Sequence, residues 1–347
     1  MTAFTRPWLE TPDALVEKGS FHYGTFRQPF RRINPLDADV FPRLIRNMRL
    51  KEWQHFALVN DDIYISLALF NAKLLALAQV CVYDRRRGEP LFYERKVLPG
   101  AMKLPSELWD DRASYRGRGF VVEIHNHLNE GAHHISFSIA ATKTLPAVKG
   151  QFTCFEPLEK NEPMIVCLPL GKGRALYSHK CIATAKGTLR VGDEEVSFAP
   201  GDAYGLVDIH KGYYPYVMKW YWATAGGYRD DGTLLGFNLT NNQVRDQRAY
   251  NENGLWVDGK LHLLPPVRFE GVSTKVSETW QINDEEGRVS LTFQPEVFRF
   301  VDVQALVLRS RYRGPYGTFS GWIKDDEGRT HEIEQFFGMC EDFYLRV

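Results

Sequence analysis

The chain has 347 residues with 43 Lys+Arg against 43 Asp+Glu, so no excess charge marks it for nucleic acid or an acidic surface. A hydrophobic share of 44% beside 25% charged residues suffices for a core without disulfide or metal staples, and excludes disorder, collagen and coiled coil. Aromatic residues reach 13%, which points to β-structure or an apolar ligand cavity.

Met1 to Glu10 holds no apolar run of signal-peptide length. The apolar stretch from Ile63 to Val82 is interrupted by Ser66, Asn71, Lys73 and Gln79, too polar for a bilayer span. A cytoplasmic protein without an integral membrane segment is expected. The next segment, Asp37 to Leu50, spaces Val40, Leu44, Ile45 and Met48 for an amphipathic helix, with Pro42 in its first turn. Strands are expected at 63–70, 74–83, 120–128, 134–140, 164–168, 177–183, 188–191 and 195–198, separated by turns such as Asp84–Gly88 and Gly192-Asp193. The rhythm continues at 256–261, 279–283, 288–293, 318–324 and 330–337. Turn signals every 8–12 residues without βαβ alternation predict an all-β chain of antiparallel barrels with few short helices. The nearest seam is Phe198 to Asp202, giving expected domains 1–199 and 200–347. Cys81, Cys154, Cys167, Cys181 and Cys340 are scattered and odd in number, as reduced thiols would be.

No Walker loop, Gly-x-Ser-x-Gly elbow or His-Glu-x-x-His occurs, and Gly171-Lys172-Gly173 lacks the rest of a dinucleotide fingerprint. No cofactor is expected. Glu123, His125 and His127 alternate along one strand and so share a face, where imidazoles at i and i+2 beside a carboxylate could bind a first-row metal. A polar strand face of hydrogen-bonded histidines is the simpler expectation.

The densest segment runs from Gly201 to Trp256. Asp208, His210, Lys211 and Tyr213 lead into a strand on which Met218, Trp220 and Trp222 face one side; Asn238, Glu252 and Asn253 follow. A carboxylate desolvated against indole rings would gain a raised pKa and act as a general acid. The competing expectation is that Asp208 and Glu252 cap turns while the tryptophans fill a core.

Asp208-Ile-His-Lys-Gly-Tyr-Tyr-Pro-Tyr216, Trp220-Tyr-Trp222, Gly236-Phe-Asn-Leu239, Asn251-Glu-Asn-Gly-Leu-Trp256 and Phe336-Phe-Gly-Met-Cys-Glu341 resemble the family called domain of unknown function 2804, over nearly the whole chain. More distantly the pattern is similar to the carotenoid 1,2-hydratase and AttH-like group of tandem lipocalin-like proteins. There Asp208 would stand for a motif Asp, Lys211-Gly212 for a Trp-Gly step, Trp220 and Trp222 for a Trp-x-Trp strand, and Gly338 and Glu341 for a terminal turn; lysine replaces the tryptophan at 211. This resemblance implies two lipocalin-like barrels in tandem and an apolar pocket, among relatives that include hydratases and cyclases.

The function expected is binding of a hydrophobic small molecule with cofactor-independent acid/base chemistry of hydratase, isomerase or cyclase type. Asp208, Glu252 and Lys211 would be catalytic, and Trp220, Trp222, Asn238, Asn253, His210 and Tyr213 would hold the substrate. A non-catalytic apolar-metabolite carrier is the second expectation, and a metal-dependent enzyme on Glu123, His125 and His127 the third.

Overall fold

The structure, a computed structural model, describes residues 4–305 and 308–346. The chain is all-β, with two large antiparallel sheets: one nearly closed barrel and one half-barrel. Contacts group residues 9–167 and 176–213 into one unit, and 1–8, 168–175 and 214–347 into the other. The expected seam at Phe198 to Asp202 lies inside the first unit. Tyr204–Tyr213 is zipped between Leu50–Val59 and Arg174–Val191, so the chain leaves that unit for the last time at Tyr214.

The barrel sheet of the first unit runs, edge to edge, Glu89–Val97, Ala76–Asp84, Ile63–Asn71, Leu50–Val59, Tyr204–Tyr213, Arg174–Val191, Val148–Phe155, Ala132–Ile139, Phe120–His127, Asp111–Gly117 and Met102–Lys103. The two strands expected at 177–183 and 188–191 are one continuous strand, which pairs with Tyr204–Tyr213 in its first half and Val148–Phe155 in its second. Alternation puts Phe56, Leu67 and Val80 in one register row, and Leu58 and Ile65 in the next. All five are fully buried, each stabilising the fold by about 1.5–3 kcal/mol.

The second sheet is ordered Lys260–Leu263, Gly254–Val257, Leu234–Asn241, Val217–Tyr228, Thr330–Arg346, Leu308–Lys324, Val289–Ala305, Trp280–Asp284 and Val267–Glu270. Ala223, Ala225, Phe237, Leu239, Trp280 and Phe319 form its apolar core. Gly317 and Gly338 are register partners. A methyl group at Gly338 would run into the Thr224 carbonyl, and one at Gly317 into that of Gln294, so the curled strands can close only on glycine.

The expected helix 37–50 is shorter than its pattern: the α-helix is Arg43–Arg49, with Pro42 as its N-cap. Its apolar stripe is not buried, since Leu44, Ile45 and Met48 are exposed. Arg46 fastens it instead, donating to the Phe41 carbonyl at 2.7 Å and pairing with Asp39 at 2.8 Å. All five cysteines are free and buried. No helix among the described residues is long and apolar enough to cross a membrane.

Candidate functional site

Strand Tyr204–Tyr213 is buried along its whole length, so period-two alternation sends polar side chains to both faces without water. Asp208 lies opposite Lys180 on one neighbour and His55 on the other; His210 lies opposite Ser178 and Trp53. One face thus gathers six polar or aromatic groups from three strands.

Asp208 Oδ1 accepts from Lys180 Nζ at 2.5 Å and lies 2.7 Å from His210 Nε2, while Trp53 Nε1 reaches Oδ2 at 3.4 Å. The Trp53 ring stacks on His210, centroids 4.5 Å apart and planes 17° from parallel. Ser178 Oγ is 3.3 Å from the same His210 Nε2, so serine and aspartate share one nitrogen and no catalytic triad is formed. His55 Nε2 meets Ser66 Oγ at 2.9 Å.

Burial pushes the Asp208 carboxyl up, but the charges of His210 and Lys180 and the hydrogen bond from His210 outweigh it and hold it far below the carboxylate range. The expected raised pKa against indole rings is therefore corrected: Asp208 is an anion tied to two cationic groups. Trp220 and Trp222 belong to the other unit. His55 is pushed down to about 4 by burial, with Asp208 pulling the other way.

Lys211 leaves the opposite face of the strand. Its Nζ lies 3.0 Å from Glu52 Oε1 and donates to the Pro105 carbonyl, while Lys73 takes the other Glu52 oxygen. Tyr213 follows on that face, its hydroxyl donating to the Pro35 carbonyl at 3.1 Å. Both residues pin loops.

In the second unit, Trp222 Nε1 donates to Asn238 Oδ1 at 2.6 Å, and Asn238 Nδ2 donates to the Glu252 carbonyl at 2.5 Å. Asn253 Oδ1 accepts from Thr240 N at 2.6 Å and its Nδ2 donates to the Pro265 carbonyl at 2.9 Å. Arg6 donates to both Asn251 oxygens, and burial lowers its pKa to about 9 although Glu252 pulls it up. Trp220 Nε1 donates to Glu341 at 3.0 Å. Asn238, Glu252 and Asn253 are thus joined to Trp222 or to the strands beside it. Asp208, His210, Lys211 and Tyr213 belong to the first unit.

The histidine strand bears out its alternation but not its expected grouping. Glu123 turns to Arg116 at 2.5 Å and His125 to Asp110 at 2.7 Å. The donor atoms that gather within 4.8 Å are those of His127, Glu130 and His134. His133 points inward. There its Nε2 lies 3.0 Å from Glu156 Oε2, and His179 Nε2 lies 2.8 Å from Oε1, all three side chains having no exposure. Asn126 commits its Nδ2 to Gln54 Oε1 and the Asp111 carbonyl, so its Oδ1, at 2.9 Å, accepts from His133 Nδ1. His133 and His179 thus each turn Nε2 to a separate oxygen of the buried Glu156 carboxylate.

Sequence reading missed Trp53, His55, Ser178, Lys180, Glu156 and His179. A signal existed: Ser178-His179-Lys180 interrupts an otherwise apolar strand, where an uncompensated polar group would be costly.

The model of the family described as Domain of unknown function (DUF2804) matches residues 8–346. No curated protein matches the sequence. Among the solved structures that resemble the chain are a candidate AttH from Nitrosomonas europaea, 13% identical with TM-score 0.47, covering 85% of this chain and 92% of its own, and kievitone hydratase from Nectria haematococca, 10% identical with TM-score 0.47, covering 85% and 88%.

Proposed function

We propose that this chain, which belongs to the family described as domain of unknown function DUF2804, binds an apolar small molecule and transforms it by cofactor-independent acid/base chemistry centred on Asp208 and His210. The observation that carries the reading is the buried ionised carboxylate of Asp208, bonded at once to Lys180 and His210 beneath the Trp53 ring. Removing such charges from water costs several kcal/mol per ion, an outlay that a purely apolar strand face would avoid. An imidazole bonded to a fixed anion is oriented for proton transfer, and an indole face stabilises cationic character in a substrate.

In a hydration of this type, His210 gives a proton to one carbon of a double bond, and water adds to the other. The proton that the attacking water sheds returns to His210. Asp208 fixes the ring, and Lys180 fixes Asp208. Lys211 has a structural place in this scheme, since Glu52 and Pro105 occupy its amine. Trp220 and Trp222 belong to the other unit and are given no part in this scheme.

The test starts from denaturing organic extraction of purified full-length protein, with mass spectrometry of what is released. Wild-type protein should convert the recovered molecule, while Asp208→Asn and His210→Gln should bind it without turnover. Recovery of an apolar molecule that wild type leaves unchanged would make the protein a carrier. Full turnover by Asp208→Asn would remove the chemistry from this cluster.

A further inference from the structure

The hairpin from Phe120–His127 to Ala132–Ile139 presents a histidine cluster to each of its faces, and the two differ in how they are satisfied. On the inner face His133 and His179 each turn Nε2 to a Glu156 oxygen at hydrogen-bond distance, in full burial. On the outer face the contacts are longer: His127 Nδ1 stands 3.5 Å from Glu130 Oε2, beyond a normal hydrogen bond. The rings of His125 and His127 stack 4.8 Å apart, and those of His127 and His134 lie 6.4 Å apart.

Local geometry explains the convergence. His127 is the N-cap of the 3₁₀ turn Leu128–Glu130, where residues three apart eclipse, so Glu130 comes round beneath His127. Gly131 then turns the chain back at φ +65°, with the Pro157 backbone too close for any Cβ. The return strand delivers His134 opposite His125. Thr153 Oγ1, 3.2 Å from His134 Nδ1, accepts that proton and leaves Nε2 to act as a ligand.

We propose that His127, Glu130 and His134 form a site for a divalent first-row transition ion of the zinc class. Two neutral imidazoles and a carboxylate are the donor set such ions take when one or more positions stay open. Ligand atoms within 4.8 Å of one another need to close by about 1.5 Å to reach bonds of about 2.1 Å, a movement that exposed Glu130 can make by changing rotamer. Exposed Glu130 and His134 stand by a groove of about 680 Å³, lined by Arg112, Glu123, His125, His134, Thr153 and Lys186. Arg112 and Lys186 give it cationic walls, which suit an anionic ligand for the ion. This site lies on strands other than Tyr204–Tyr213 and is independent of the acid/base reading.

The experiment is titration of tag-free, chelator-treated full-length protein with Zn²⁺ by calorimetry, and with Co²⁺ by visible absorption. Saturable binding of a single ion per chain is expected, with the Co²⁺ bands of low coordination number. His127→Gln and His134→Gln should each abolish saturation, and Thr153→Val should weaken binding about tenfold or more. His22→Gln, at a half-buried histidine outside the cluster, should change nothing. Absence of saturable binding, or binding that His127→Gln and His134→Gln leave unmoved, overturns the proposal. Circular dichroism of each variant separates a lost ligand from a lost fold.

Discussion

Asp208 and Lys211 stand three positions apart on one strand and point to opposite faces, Asp208 to Lys180 and His210, Lys211 to Glu52 and Pro105. An odd separation on a strand enforces this, whatever the sequence between. The two buried ion clusters are therefore separate, and their loss should have separable consequences.

Asp208→Asn removes the anion that Lys180 and His210 share. A buried cation left without its partner destabilises by about 3–5 kcal/mol. Because the folded pKa of Asp208 is depressed, its contribution is present above the unfolded value and is lost as pH falls below it. Denaturant unfolding of wild type and variant should differ most near neutrality and converge in strong acid. Equal stability at pH 7 would mean the charge is not buried as described.

Lys211→Met should act differently. Glu52 keeps Lys73, so the expected loss is smaller, about 1.5–3 kcal/mol, the range for a hydrogen bond to a charged group. Stability should fall while the turnover of bound substrate stays at the wild-type value. A turnover defect in a folded Lys211→Met protein would return Lys211 to the catalytic set.

The contrast shows what the sequence could and could not tell. Strand 63–70 was legible because its alternation is local, and the shared face of His125 and His127 because i and i+2 always share one. The same period would have set Asp208 with His210 and away from Lys211, yet all three were expected in one site. What meets Asp208 did not follow. Trp53 and Lys180 reach it only through the register of the Leu50–Val59 and Arg174–Val191 strands, and register between distant strands has no local signature. The helix failed for the opposite reason: Leu44, Ile45 and Met48 have helical spacing, yet the structure leaves them exposed.

Trp222→Phe tests the second unit. The substitution keeps most of the ring but removes the N–H that Asn238 Oδ1 accepts, leaving a buried amide oxygen short of a donor at a cost of about 1–3 kcal/mol. Trp220→Phe loses a bond to Glu341 at a half-buried position and should cost less, since water can replace the donor. Thermal unfolding of the pair should rank Trp222→Phe lower in Tm; the reverse order would show that Asn238 is satisfied without the indole.

Glu156 gives the sharpest pH signature. Burial pushes its carboxyl up, but His179 and His133 outweigh that and hold it at about 2, against about 4.3 for an exposed glutamate. A depressed carboxylate stabilises the fold above its unfolded pKa, so this contribution is complete above about pH 5 and drains away as pH falls toward 2. The separation corresponds to roughly 3 kcal/mol. Glu156→Gln keeps the shape and removes the charge that His133 and His179 both face. Unfolding followed from pH 7 to pH 2 should show wild type losing stability across that window while Glu156→Gln, weaker at pH 7, changes far less. Parallel acid limbs in the two proteins would mean that Glu156 and His133 share a neutral hydrogen bond rather than an ion pair.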